Sequence, residues 1–156
     1  MTLSAGDKAP DFDLPTADGR VSLAGLKGKT VVLYFYPKDD TSGCTAEAQG
    51  FTAATGDFAK AGAMVVGVSK DSAVSHGKFQ AKYDLAVTLG SAKDDDMVER
   101  YGAWVEKSMY GRKYMGIDRS TYLIDKGGVI RQAWRKVKVP GHVAEVLAAA
   151  KALQAP

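Results

Sequence analysis

The chain has one cysteine, Cys44, set in the stretch YFYPKDDTSGCTAEAQG (34–50). An apolar run stops at Pro37, charged and small residues follow, and helix-forming residues begin beyond the sulfur. A strand that feeds a turn and then a helix places Cys44 in or near a helix first turn. Free backbone N–H groups and the positive end of the helix dipole favour an anion there. For cysteine that anion is the thiolate, its nucleophilic form. Gly43 removes a side chain just before the sulfur and would let a small substrate approach. Thr41, three residues back, brings a hydroxyl to whatever binds the sulfur, and Pro37 fixes the exit from the strand. A lone cysteine is also a common small buried hydrophobe, so these residue types alone leave both readings open.

Other reactive side chains carry less. Glu47 in a first helical turn reads as a partner of the helix dipole. His76 and His142 are far apart and lack ligand spacing, which argues against a metal site. The run Asp94–Asp96 reads as a solvated helix start, and Trp104 and Trp134 as packing residues. The net charge of +3 is too mild for a nucleic-acid binder, which would show a dense basic stripe. The nearest candidate, RKVKV (135–139), reads as one solvated strand face. No segment approaches the roughly 20 apolar residues that span a bilayer, and the first residues lack a basic-then-apolar signal pattern. One cysteine makes no internal disulfide, so a soluble cytoplasmic protein is the expectation.

The elements that must position Cys44 follow from pattern. At 156 residues one domain spanning 1–156 is the simplest organisation, long enough to bury a core. Turn signals at TADG and KGK make the first 29 residues a hairpin-like lead-in. TVVLYFY (30–36) is apolar on both faces, as a central buried strand should be. From Glu47, the apolar positions Ala48, Phe51, Ala54, Phe58 and Ala61 recur at helical spacing, and Gly62 ends that helix. AMVVGVS (63–69) is a second buried strand. Asp71 or Ser72 caps a helix through about Tyr83, and AVTLGS is a shorter strand. Asp94–Asp96 lead into a helix at MVERYGAW. STYLID and VIRQAW pair as a hairpin about Lys126–Gly128. A last helix follows Pro140, with Val143, Val146, Leu147, Ala150 and Leu153 on one face. Strands alternating with helices point to an α/β domain with a mixed central sheet.

Two separated segments carry a family resemblance. YPKDDTSGCTAE resembles the peroxiredoxin signature of Pro, Thr and Cys, here Pro37, Thr41 and Cys44, and is most similar to the PrxQ or bacterioferritin-comigratory-protein subgroup. GIDRSTYLID (116–125) is similar to that subgroup's arginine-bearing strand and puts Arg119 in the place of its active-site arginine. APDFDLPTADG, GVSKDS and EKSMYGRKYMGI extend the likeness over nearly the whole chain. The resemblance implies a thioredoxin-like fold of the peroxiredoxin type, a mixed central β-sheet flanked by helices with an N-terminal hairpin extension. It implies a thiol peroxidase active in antioxidant defence and cell redox homeostasis. Cys44 would attack the terminal oxygen of hydrogen peroxide or an alkyl hydroperoxide. Thr41 would hydrogen-bond the peroxide, Arg119 would favour the thiolate and help bind the substrate, and Pro37 would shield the site. A guanidinium stays charged and offers several fixed donors, which suits a thiolate and a polarising O–O bond together. No metal or organic cofactor is implied, because the sulfur itself takes up the oxygen.

The chain departs from its subgroup at the resolving cysteine. One common location holds Gln49 here, and another, in the next helix, holds Gln80. Oxidised Cys44 then requires an external thiol, from glutathione, a thioredoxin or a glutaredoxin; a backbone sulfenamide is a further holding state. Ser42 stands where the subgroup usually has proline. Subgroup members are often monomeric, and a monomer is the expectation. A thiol–disulfide oxidoreductase lacks support without Cys-x-x-Cys. A peroxide sensor, oxidised once and read by a partner, remains the alternative, and turnover with an added reductant separates the two.

Overall fold

The computed structural model describes residues 3–154. Strands β1 (Asp13–Thr16) and β2 (Gly19–Ser22) form the lead-in hairpin. The central sheet holds β3 (Thr30–Phe35), β4 (Ala63–Ser69), β5 (Thr88–Ser91), β8 (Ser120–Ile124) and β9 (Ile130–Trp134) in the order β5-β4-β3-β8-β9. A second hairpin, β6 (Trp104–Met109) and β7 (Arg112–Ile117), lies outside that sheet. Helices α1 (Ser42–Ala53), α2 (Thr55–Lys60), α3 (Ala73–Tyr83), α4 (Met97–Arg100) and α5 (His142–Gln154) complete the order.

β3 sits at the middle of the sheet, and all six of its residues are buried. That is why TVVLYF shows no alternation: both faces are covered, and β-branched and aromatic side chains fill them. Strand β3 runs parallel to β4 and antiparallel to β8, so the sheet is mixed. One face packs Leu33, Phe35, Val66, Val68 and Tyr122 against the lead-in segment and α4. The other packs Val32, Tyr34, Val65 and Leu123 against α1, α2, α3 and α5. Burying each such large apolar side chain is worth about 1.5–3 kcal/mol. Gly67 of β4 is a requirement of this packing, since a Cβ there would lie 2.6 Å from the Tyr34 ring.

Several expected elements shift. The first helix starts at Ser42, five residues before Glu47, and breaks at Ala54 into α1 and α2. Thr55 explains the break: its hydroxyl donates to the Phe51 carbonyl at 3.0 Å, competing with the helical amide ladder. α4 stops at Arg100 instead of running through Trp104, which begins β6. The β6–β7 hairpin went unread because its strands are mostly exposed and its turn is Tyr110-Gly111, with φ of 52° and 78°. Such a turn usually announces itself by Asn or Asp before the glycine. RKVKV is not a strand face; it is the loop after β9, in which Lys136 takes a positive φ of 47°. Ser72 caps α3 as read, its hydroxyl accepting from the Ser75 amide at 3.1 Å.

Candidate active site

The site forms where β3 hands over to α1. After the buried Tyr36, the chain leaves the sheet through an exposed turn that includes Pro37 and reaches Thr41, the N-cap of α1. Cys44 is the third residue of α1 and is 1% exposed. The cap side chain does not bond the first-turn amides of α1. Instead the Thr41 hydroxyl donates to the Lys38 carbonyl at 2.8 Å, and the Thr41 carbonyl accepts from the Thr45 amide at 2.8 Å. The hydroxyl's lone pairs therefore stay open to a donor, and the first-turn amides have no side-chain cap.

Arg119 arrives from 75 positions away. Phe35 of β3 pairs with Ser120 of β8, so the residue before Ser120 sits beside the end of β3. The Arg119 carbonyl accepts from the Val137 amide at 2.9 Å. The loop expected to be a solvated strand thus anchors the arginine. Its Nη2 donates to Cys44 Sγ at 3.3 Å and its Nη1 to Glu47 Oε1 at 2.6 Å. Burial opposes the guanidinium's charge, but the negative groups at Glu47 and Cys44 outweigh it and hold its pKa above the usual value.

Gly43 has a use besides the one expected. A Cβ at Gly43 would stand 3.1 Å from Arg119 Nη2. The missing side chain makes room for the guanidinium rather than for substrate alone, because Arg119 crosses that point on its way to the sulfur.

Glu47 also differs from its expected role. It is not a solvated partner of the helix dipole: it is fully buried and ion-paired with Arg119. Burial pushes its carboxyl up to about 7, against the pull of Arg119. Its Oε2 and the Tyr34 hydroxyl are the two buried side-chain polar atoms without a hydrogen-bond partner among the described residues. The signal that could have found Glu47 is its spacing: three residues after Cys44, it shares the sulfur's helix face.

The positions that hold no second cysteine are ordinary. Gln49 is exposed on α1, and Gln80 is half-buried on α3, its side-chain amide donating to the Val87 carbonyl at 2.9 Å. The two histidines are both core residues with hydrogen-bond partners. His142 Nε2 meets Thr121 Oγ1 at 2.8 Å, while His76 bonds Asp39 and the Gly90 carbonyl. No group of three or more metal-ligating side chains occurs among the described residues. None of the described helices is long and apolar enough to cross a membrane.

Comparison with known proteins agrees with this geometry. The AhpC/TSA family model matches residues 5–133. A putative peroxiredoxin bcp of Coxiella burnetii is 55% identical, covering 94% of this chain and 98% of the relative. Peroxiredoxin Bcp of Bacillus subtilis is 48% identical, with 94% of each chain covered. Among solved structures, a Xylella fastidiosa PrxQ variant superposes with a TM-score of 0.93 at 36% identity and 99% coverage of both chains. The bacterioferritin comigratory protein of Xanthomonas campestris, described for its alkyl peroxide reduction, superposes at 0.87 with 44% identity and 92% coverage of both. The mixed sheet with its flanking helices is accordingly the thioredoxin-like fold of the peroxiredoxin type. The chain belongs to the AhpC/TSA family, and within it to the Bcp or peroxiredoxin Q group of thiol peroxidases, here with a single cysteine.

Proposed function

We propose that Cys44 is the peroxidatic nucleophile of a one-cysteine thiol peroxidase acting on hydrogen peroxide and alkyl hydroperoxides. The observation that carries this is the Arg119 fork, which joins Cys44 Sγ to a buried carboxyl through two side-chain nitrogens. A fixed cation at 3.3 Å from the sulfur favours thiolate over thiol and needs no rearrangement as charge moves. The thiolate attacks the terminal peroxide oxygen. An S–O bond forms, the O–O bond breaks, and the departing hydroxide or alkoxide takes a proton to leave as water or alcohol. Cys44 is left as sulfenic acid, two electrons oxidised.

In this reading Thr41 accepts a hydrogen bond from the peroxide's O–H, since its own proton is engaged by the Lys38 carbonyl. Arg119 and the first-turn amides hold the oxygen that becomes negative. Pro37 shapes the turn above the site, and Gly43 keeps the guanidinium's path clear. A thiol then attacks the sulfenic sulfur, releasing water and forming a mixed disulfide, and a second thiol displaces Cys44. Because the chain has no second cysteine, both thiols come from outside: glutathione, a thioredoxin or a glutaredoxin. The enzyme works as a monomer in the cytoplasm, in antioxidant defence.

Peroxide consumption followed with intact-mass analysis, before and after glutathione or a thioredoxin system, tests this reading. Sustained turnover with one reductant and none in Cys44→Ser is the expected result. Full activity in Cys44→Ser would sink it, and one equivalent consumed without turnover would mark a sensor instead.

A further inference from the structure

The loop before Cys44 is held at two points by one helix. Asp39 is 7% exposed, and its carboxylate is saturated with donors. Oδ1 accepts from the Tyr36 hydroxyl at 2.6 Å, and Oδ2 accepts from the Ser75 hydroxyl and from His76 Nδ1, each at 2.8 Å. The Asp39 amide donates to Asp71 Oδ2 at 2.9 Å, and that oxygen also accepts from the Ser69 hydroxyl at 2.6 Å. The next residue, Asp40, takes a left-handed φ of 58°. Its carboxylate reaches Lys82 Nζ at 2.7 Å and the Tyr83 hydroxyl at 2.5 Å. Adjacent loop residues therefore grip α3 at its first and last turns.

His76 is fully buried and both its nitrogens are used. Nε2 lies 3.1 Å from the Gly90 carbonyl, which can only accept, so Nε2 carries a proton. Nδ1 lies 2.8 Å from an Asp39 carboxylate oxygen. The ring joins the loop, α3 and the C-terminal end of β5. Asp39 stands two residues before Thr41, whose carbonyl starts the α1 hydrogen-bond ladder. Any slackness at Asp39 passes directly to Thr41 and the first turn that carries Cys44.

We propose that Asp39 and His76 are positioning residues: their buried contact locks the loop 37–41 onto α3 and sets the first turn of α1 in register with Arg119 for attack on peroxide. The proposal rests on Cys44 being the nucleophile. Neither residue touches the sulfur; they act through the Thr41 backbone. Reacting groups displaced by about 1 Å lose on the order of 10²-fold in rate, so a lock on this short segment has kinetic consequences.

The test is the second-order rate constant for Cys44 oxidation by hydrogen peroxide, read by quenched flow and intact mass, with thermal melting alongside. Asp39→Ala removes all three side-chain bonds and is expected to slow oxidation by roughly 10- to 100-fold. Asp39→Asn is expected to stay within about threefold of wild type, because its remaining oxygen still accepts from Tyr36. Its amide can donate to Nδ1 of a neutral imidazole that keeps Nε2–H on Gly90. Loss in the alanine variant with rescue by asparagine is a pattern that lost stability alone does not produce. An unchanged rate constant in folded Asp39→Ala overturns the proposal, as does an asparagine variant as slow as alanine. If Asp39→Ala does not fold, Tyr36→Phe combined with Ser75→Ala removes two bonds while keeping the His76 contact; it is expected to slow oxidation severalfold, and an unchanged rate overturns the proposal. Wild-type protein inert to peroxide is a separate failure, that of Cys44 as nucleophile.

Discussion

Two buried carboxyls flank Cys44, each with a basic partner, and the pairs are built differently. Asp39 and His76 lie on the loop side, Glu47 and Arg119 on the helix side. Both carboxyls are shielded from water, and desolvation pushes both upward. Asp39 ends below the usual carboxylate range because hydrogen bonds from His76, Tyr36 and Ser75 outweigh its burial. Glu47 ends near 7 because burial outweighs the pull of Arg119, its single donor. The balance of burial against donors decides the direction, and Glu47 is both the deeper and the poorer in donors. A saturated carboxylate makes a fixed structural joint. An unsaturated one leaves the guanidinium divided between it and the sulfur, which is what a reacting centre needs.

The largest effect should come from breaking the saturated pair. His76→Ala leaves the buried Asp39 carboxylate without its Nδ1 partner, empties the ring's buried site, and should cost about 3–5 kcal/mol of stability. Denaturant melts measure it, and a loss below 1 kcal/mol would erase the contrast. Arg119→Met should act the opposite way. Glu47 can take up a proton when its partner leaves, so the fold stays near wild-type stability, while peroxide oxidation of Cys44 slows by about 10²–10³-fold. Quenched-flow rates beside melting curves would show that split.

Gly43→Ala probes the same fork more gently. The added methyl lies 3.1 Å from Arg119 Nη2 and displaces the guanidinium by a few tenths of an ångström. A roughly tenfold slower oxidation is expected from that misplacement, and a rate equal to wild type would mean that the fork tolerates the shift.

The two carboxyls should also pull in opposite directions with pH. Glu47's pKa is raised from 4.5 to about 7 in the folded protein. Its stabilising contribution is therefore complete below 4.5 and is lost as pH rises through 7. Asp39's is lowered, so its contribution is complete above the ordinary carboxyl range and is lost on acidification. Glu47→Gln should flatten the fall in stability between pH 4.5 and 7, a slope of at most about 1.4 kcal/mol per pH unit for one proton. An identical slope in the variant would place the titration elsewhere.

The strand, loop and helix around Cys44 were legible because their cues are local. TVVLYF is apolar at every position, Pro37 and the charged loop interrupt it, and helix formers follow. Arg119 was legible only through resemblance, since an arginine before a strand announces nothing by itself. Glu47 was misread, because α1 starts five residues earlier than its pattern suggested and carries Glu47 in its second turn, on the buried face. The β6–β7 hairpin stayed hidden behind exposed strands and a tyrosine in a turn that asks for asparagine or aspartate. RKVKV showed strand-like alternation but formed a loop, and its Val137 amide holds the arginine's carbonyl.

By itself the sequence determined a thiol at a strand-to-helix junction and an alternating α/β chain, because hydrophobic period and turn chemistry act over a few residues. It also determined that oxidised Cys44 has no thiol of its own chain to meet. Tertiary structure decided the rest. The pairing of Phe35 with Ser120 brings Arg119 to the sulfur, and the missing side chain at Gly43 lets it arrive. Whether a buried carboxyl is a joint or a reactive neighbour depended on how deeply the folded chain buried it and how many donors it turned toward it. Those are matters of register and local dielectric, which exist only once distant segments have packed.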